Sequence, residues 1–304
     1  MRDAKVHILG CGSATPTPRH NPAAQVVEMG GEMLLVDCGE GTQLQLRRAG
    51  IHFSRISSVF ISHLHGDHCL GLVGMISSFG LLGRTAALHI YAQQQLGPML
   101  KQMMEAFCHE PAYSVVFHAI NPAVSDIIYE SHALTVETIP LDHGVPCCGF
   151  LFREKPSLPH MRGDMVKLYD IPVGEINNIK GGASWTTADG VTIAHEQLVT
   201  PADAPRTYAY CSDTCYMPQL HTTLHGVNTL YHEATYCSDM ADKAVARGHS
   251  TARQAAMVAR DAEVGQLILG HFSSRYADDR VFLDEASAVF PRCVLAHEMA
   301  TFDI

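Results

Sequence analysis

The sequence predicts an α/β fold on three observations. Strand-like runs in four separate places end in side chains able to ligate a divalent metal. Helix-like segments lie between them. The chain is also long and apolar enough to bury a large core: 304 residues, 47% hydrophobic and 17% charged. That length accommodates one large domain or two of ordinary size.

In chain order, "MRDAKVHILGCGS" opens with charges, and its apolar run is far too short for a signal peptide. The overlapping "GCGSATP" places Thr15 where a dinucleotide-binding turn needs its third glycine, which argues against that reading. "EMLLVDCGEGTQLQLRRAG" reads as strand, glycine turn and helix. "SSVFISHLHGDH" is a β-branched and aromatic run ending in His63, His65, Asp67 and His68. The next stretch, "CLGLVGMISSFGLLG", is broken by glycines and serines and falls short of a membrane span. "LGPMLKQMMEAF" has helical apolar spacing. "ALTVETIPLDHG" alternates like a strand and ends at Asp142 and His143. "RTYAYCSDT" ends at Asp213, and "QLILGHFSSRY" carries His271. "TARQAAMVARDA" reads as a helix, with Ser250 as its expected N-cap. One histidine at a strand end is ordinarily a packed residue. Four strand ends of this kind can converge, because open α/β sheets gather ligands at strand termini.

Arg153 to Gly190, "REKPSLPHMRGDMVKLYDIPVGEINNIKGGASWTTADG", breaks the rhythm. It is rich in Pro, Gly and turn residues, has weak apolar periodicity and holds the only tryptophan, Trp185. It is expected to be an insertion within a single domain spanning residues 1–304. Its charges are five basic against five acidic. The net charge of −10 argues against a nucleic-acid partner unless cations cluster locally. Ten cysteines without a Cys-x-x-Cys pair do not make a disulfide framework. Cys69, Cys148 and Cys211, near the histidine-rich segments, read as small buried residues. No targeting or spanning segment is evident, so a soluble cytoplasmic protein is expected.

The histidine cluster has more ligands than one ion needs. Alternation along an extended segment puts His63 and His65 on one side, and the turn at Gly66 sends Asp67 and His68 towards a second position. His143 can complete the first set and His271 the second. Asp213, with two carboxylate oxygens, can bridge them. Two ions about 3.5–4 Å apart suit phosphoester hydrolysis, activating a water and stabilising attacking and leaving oxygens. Imidazole and carboxylate donors without thiolate suit zinc, with manganese as the alternative.

"SHLHGDH" with His143, Asp213 and His271 resembles the metallo-β-lactamase superfamily. "HEAT" at 232–235, "GHSTARQAA" from Gly248, "HFSSRY" from His271, "LVDCGEGTQ" and the inserted segment narrow the resemblance to the ribonuclease Z family, over essentially the whole chain. The resemblance implies a four-layer αβ/βα sandwich in which residues 153–190 form a protruding, flexible arm that grips tRNA. It implies a homodimer with two zinc ions per subunit. The implied activity is removal of the 3′ trailer of precursor tRNA, leaving a 3′ hydroxyl on the tRNA and a 5′ phosphate on the trailer. Asp67 would orient or deprotonate the attacking water besides binding metal. His249, held by Glu233, would protonate the leaving 3′ oxygen. A dimetal phosphodiesterase of small phosphodiesters is the alternative, favoured by the acidic balance. The "IPVGE" at the expected arm tip also departs from the family's glycine–proline pattern.

Overall fold

The computed structural model describes residues 4–108 and 112–304; the early charges Arg2 and Asp3 lie outside them. Two compact units are present, residues 154–205 and the remaining described residues.

The larger unit is built on two seven-stranded mixed sheets. In the first, Lys5–Gly10, Ala24–Met29 and Glu32–Val36 form an antiparallel meander. Ile56–Phe60, Leu88–Gln93 and Val115–Ile120 extend it in parallel, and Thr301–Asp303 closes the other edge. In the second, Thr207–Cys211, Thr229–Glu233, Gln266–Gly270 and Cys293–Leu295 run parallel. Cys147–Glu154 joins Thr207–Cys211 in antiparallel fashion, followed by Leu134–Leu141 and Ile127–Glu130.

Strand periodicity decides which core each residue enters. Val27, Leu34 and Val36 face the core shared with Phe150, Tyr208, Leu230 and Leu267 of the second sheet. Their neighbours Val26, Met33 and Leu35 point the other way, onto Leu46, Leu72, Ile76 and Leu100 from helices Thr42–Arg48, Gly71–Leu81 and Leu96–Phe107. Successive side chains on a strand alternate faces, so a sheet buried on both sides needs nearly continuous apolar runs such as "EMLLV". Helices Ala252–Asp261 and Arg280–Ser287 cover the second sheet with Ala255, Ala256, Val258, Ala259 and Phe282. The result is a helix–sheet–sheet–helix sandwich.

The helix predicted from "TARQAAMVARDA" is present, but its cap is Thr251, not Ser250. Thr251 and Gln254 bond reciprocally in a capping box. Ser250 is drawn instead into the interior, donating its backbone N–H to Glu233 (3.0 Å) and its hydroxyl to the Thr214 carbonyl (2.8 Å).

The smaller unit has a core of its own: Ile171, Ile179, Ile193 and Leu198, with Tyr169 and Trp185 packed against them. Its regular elements are short, the longest being the helix Gly163–Leu168. It runs on to residue 205, past the 190 suggested by composition, because Ile193 and Leu198 belong to this core and Thr200 pairs with His160.

Candidate metal centre

The segment after Ile56–Phe60 stays extended to His65, which caps a single turn of helix, Gly66–Cys69. Two glycines let this turn seat closely. A Cβ on Gly71 would lie 1.9 Å from the Gly39 carbonyl oxygen, and one on Gly39 would lie 2.5 Å from that of Asp67. His143, Asp213 and His271 arrive just beyond Leu134–Leu141, Thr207–Cys211 and Gln266–Gly270. His271 adopts a left-handed backbone at φ 60°, a conformation costing on the order of 1–3 kcal/mol that clusters at functional sites.

Side chains brought together this way form two donor groups. One contains His63, His65, His143 and Asp213; the other contains Asp67, His68 and His271. Asp213 stands between them. Its Oδ2 lies 3.6 Å from His63 Nε2 and 3.8 Å from His143 Nε2, while its Oδ1 lies 3.5 Å from His68 Nε2 and 3.2 Å from His271 Nε2. Each oxygen faces a different group. Oδ1 is buried and lacks a hydrogen-bond partner.

This arrangement fits a pair of cations. Tetrahedral zinc with bonds near 2.0–2.1 Å places neighbouring nitrogen donors roughly 3.3 Å apart. His63 Nε2 and His65 Nδ1 are 3.1 Å apart, His65 Nδ1 and His143 Nε2 3.2 Å, and His68 Nε2 and His271 Nε2 3.3 Å. The far nitrogens of four rings are anchored, as metal-ligating histidines generally are. Ser62 Oγ lies 3.0 Å from His63 Nδ1, Asp37 Oδ2 2.7 Å from His68 Nδ1, the Gly248 carbonyl 2.7 Å from His143 Nδ1, and Thr235 Oγ1 2.9 Å from His271 Nδ1. Gly248 is needed there twice over: its φ is 73°, and a Cβ would approach His143 Nδ1 to 2.8 Å.

Charge is distributed accordingly. Burial keeps His63 well below its usual pKa, helped by the neighbouring His68 charge, so its lone pair is available. Burial opposes charge on Asp67 too, but a hydrogen bond from His271 and the charge of His68 outweigh it and hold the carboxylate ionised. Asp67 Oδ2 also accepts the Ala14 N–H at 2.7 Å.

His249 stands at the edge of the second group, with donor atoms of Asp213 and His271 within 4.8 Å. Its Nδ1 lies 2.9 Å from Glu233 Oε1, leaving Nε2 for the cavity it lines. Glu233 is fully buried and also accepts from the backbone N–H groups of Thr214, Thr235 and Ser250 and from Thr235 Oγ1. Burial disfavours a charged His249, but Glu233 prevails and raises its pKa to about 9.

Of the nine candidate residues named from the sequence, His65, Asp67, His143, Asp213, His249 and His271 line one open cavity, while His63, His68 and Glu233 lie fully buried against them. Asp142 stays out of the donor groups, as do Cys69, Cys148 and Cys211; the last two are buried in the core between the sheets. Asp37, Ser62 and Thr235 carry no ligand pattern of their own, and only folding reveals them as anchors. A third group was also missed: Cys11, His20 and Glu298. His20 lies 2.8 Å from Asp279 and 3.1 Å from Glu298, and so ties the N-terminal loop to the segment after His271.

Residues 4–159 match the family model described as anti-Pycsar protein Apyc1. Ribonuclease Z of Bacteroides fragilis is 50% identical over 298 residues, covering 98% of both chains. That of Phocaeicola vulgatus is 48% identical over all of this chain and 98% of its own. Among solved structures, the short form of human tRNase Z superposes with a TM-score of 0.71 at 25% identity, covering 98% of both chains. The metallo-β-lactamase fold protein YhfI of Bacillus subtilis gives 0.68 at 17% identity, covering 99% of this chain and 100% of its own. Matched over its first half by the one family and along its whole length by the other, the chain belongs to the Apyc1 family and to the ribonuclease Z family, on a metallo-β-lactamase fold.

Proposed function

We propose that the protein is a dimetal endoribonuclease that removes the 3′ trailer of precursor tRNA. The observation that carries this is Asp213, whose two oxygens face two separate imidazole groups beneath an open cavity of about 680 Å³. The fold implies two metals, and the relatives supply the substrate class. His63, His65 and His143 would hold one ion, Asp67, His68 and His271 the other, with Asp213 shared. Zinc suits these donors, with manganese as the alternative. A bound pair of divalent ions supplies positive charge that acidifies water and offsets charge on the phosphoryl oxygens.

The chain's own groups do the rest. Asp67, ionised and fixed by the Ala14 N–H, orients the attacking water and can take its proton. His249, kept charged by Glu233, gives a proton to the departing 3′ oxygen, which otherwise leaves poorly. The tRNA keeps the 3′ hydroxyl and the trailer the 5′ phosphate. Residues 153–190, all but the first within the compact unit 154–205, would serve as the substrate-gripping arm of a cytoplasmic homodimer.

Incubating the metal-loaded protein with a 3′-extended tRNA, with and without chelator, and mapping the new ends tests this. Cleavage at the tRNA 3′ end that chelation abolishes is expected. An intact tRNA alongside rapid hydrolysis of small phosphodiesters would favour the alternative consistent with the chain's acidic balance.

A further inference from the structure

The cavity above the centre has a charge distribution unlike that of the chain. The protein carries a net charge of −10. Yet Lys243, Arg247 and Arg275 all line the cavity, where the carboxylates are Asp67 and Asp213 of the centre and Glu40. Among the described residues none of these three cationic side chains has an ion pair or hydrogen bond. Lys243 and Arg247 lie four apart on the helix Ala241–Arg247, so they project from the same face. The helix ends at Gly248, and the next residue is His249. The left-handed Gly248 therefore turns the chain directly from two unpaired cations to the candidate proton donor.

Position gives these cations a direction. His249 serves the 3′ oxygen, which stays with the tRNA after cleavage. Cations on the segment leading into His249 are placed by that adjacency to meet the same side of the bond. We propose that Lys243 and Arg247 form a phosphate-binding subsite for the nucleotides immediately 5′ of the cleaved bond. This rests on the nuclease reading above. Unpaired cations facing a polyanion gain affinity by releasing its counterions, and single-stranded phosphates do so without base preference. The competing explanation is structural: Arg247, in the last helical turn, offsets the helix dipole, and that role is indifferent to substrate charge.

The two are separated with the metal-loaded full-length protein and 3′-extended tRNA. Lys243→Gln combined with Arg247→Gln should raise KM about tenfold or more at low salt, with a smaller change in kcat. The slope of log kcat/KM against log salt should become shallower by about 1.4, at roughly 0.7 per single-stranded phosphate contact. Lys243→Arg with Arg247→Lys should restore the slope. Replacing the two linkages 5′ of the cleaved bond by uncharged methylphosphonates should shrink the wild-type-to-variant ratio towards one, whereas the same change on the trailer side should leave it large. An unaltered salt slope overturns the subsite. A ratio that collapses only with trailer-side methylphosphonates overturns the assigned direction. If the wild type leaves 3′-extended tRNA intact in every salt, the nuclease reading fails and the subsite falls with it.

Discussion

The donor groups of the larger unit and the compact unit 154–205 are built from opposite materials. In the larger unit, His63, His68, Asp213 and Glu233 are almost wholly buried, and anchors such as Asp37 and Thr235 hold the polar cluster in place. Buried polar groups are costly unless partnered, so such a network tolerates few arrangements. The smaller unit is organised by four buried apolar residues, while Leu168 is 67% and Val173 83% exposed. The difference teaches that a buried polar cluster must be held by many specific partners, whereas a small apolar core holds its unit with few.

The comparison breaks first at Asp213. Asp213→Ala removes the carboxylate whose two oxygens face the two groups. It should lose more bound metal than His271→Ala, and activity should fall at least as far as for any acid–base variant. Elemental analysis finding two ions per chain in Asp213→Ala would sink the bridging role.

His249→Ala comes next. It should keep near-normal metal content yet slow tRNA cleavage by ~10²–10⁴-fold, with a smaller loss on a substrate whose leaving group needs no proton. The pH profile carries a sign. In the proposed role His249 acts protonated, so activity should be present below its raised pKa and decline as pH rises through about 9. Positive charge from bound metals moves that limb to lower pH. The limb should vanish in His249→Ala, and a variant profile that keeps it assigns the limb to another group.

Replacing residues 154–205 by a short Gly/Ser linker sharpens the contrast from the other side. Misplacing the scissile phosphate should cost tRNA cleavage about 10²-fold, while a small activated phosphodiester is still hydrolysed. Undiminished tRNA processing would make the unit a mere surface element. Loss of both activities at normal metal content would mean that it shapes the centre.

The smallest effect is expected at Asp37, which lies behind the ligands. Asp37→Asn weakens the hydrogen bond that orients His68, and such changes typically cost 10–100-fold in metal affinity. Competition with a chromophoric chelator measures this; equal affinity in the variant would make Asp37 a bystander.

Much of this was legible beforehand because local rules govern it. Two-residue alternation marks the strands, and ligands crowd where those strands end. Thus His63, His65, Asp67 and His68 could be divided between two sets from spacing and a glycine turn alone. Other features were not legible. Ser250 is as good an N-cap as Thr251 in isolation, and the buried Glu233 carboxylate is what draws it away from that role. Asp37 has the composition of any strand-end aspartate, and its partner His68 is 31 residues distant.

By itself, then, the sequence determined the alternating elements, the ligand types and the surplus of ligands that calls for two ions, since these follow from periodicity and donor chemistry within a few residues. Tertiary structure decided which oxygen of Asp213 faces which group, that Glu233 also takes the Ser250 N–H, and that Lys243 and Arg247 enter the same cavity as the centre. Those are distances between segments separated by tens to hundreds of residues. They exist only once two sheets have packed and brought their strand ends together.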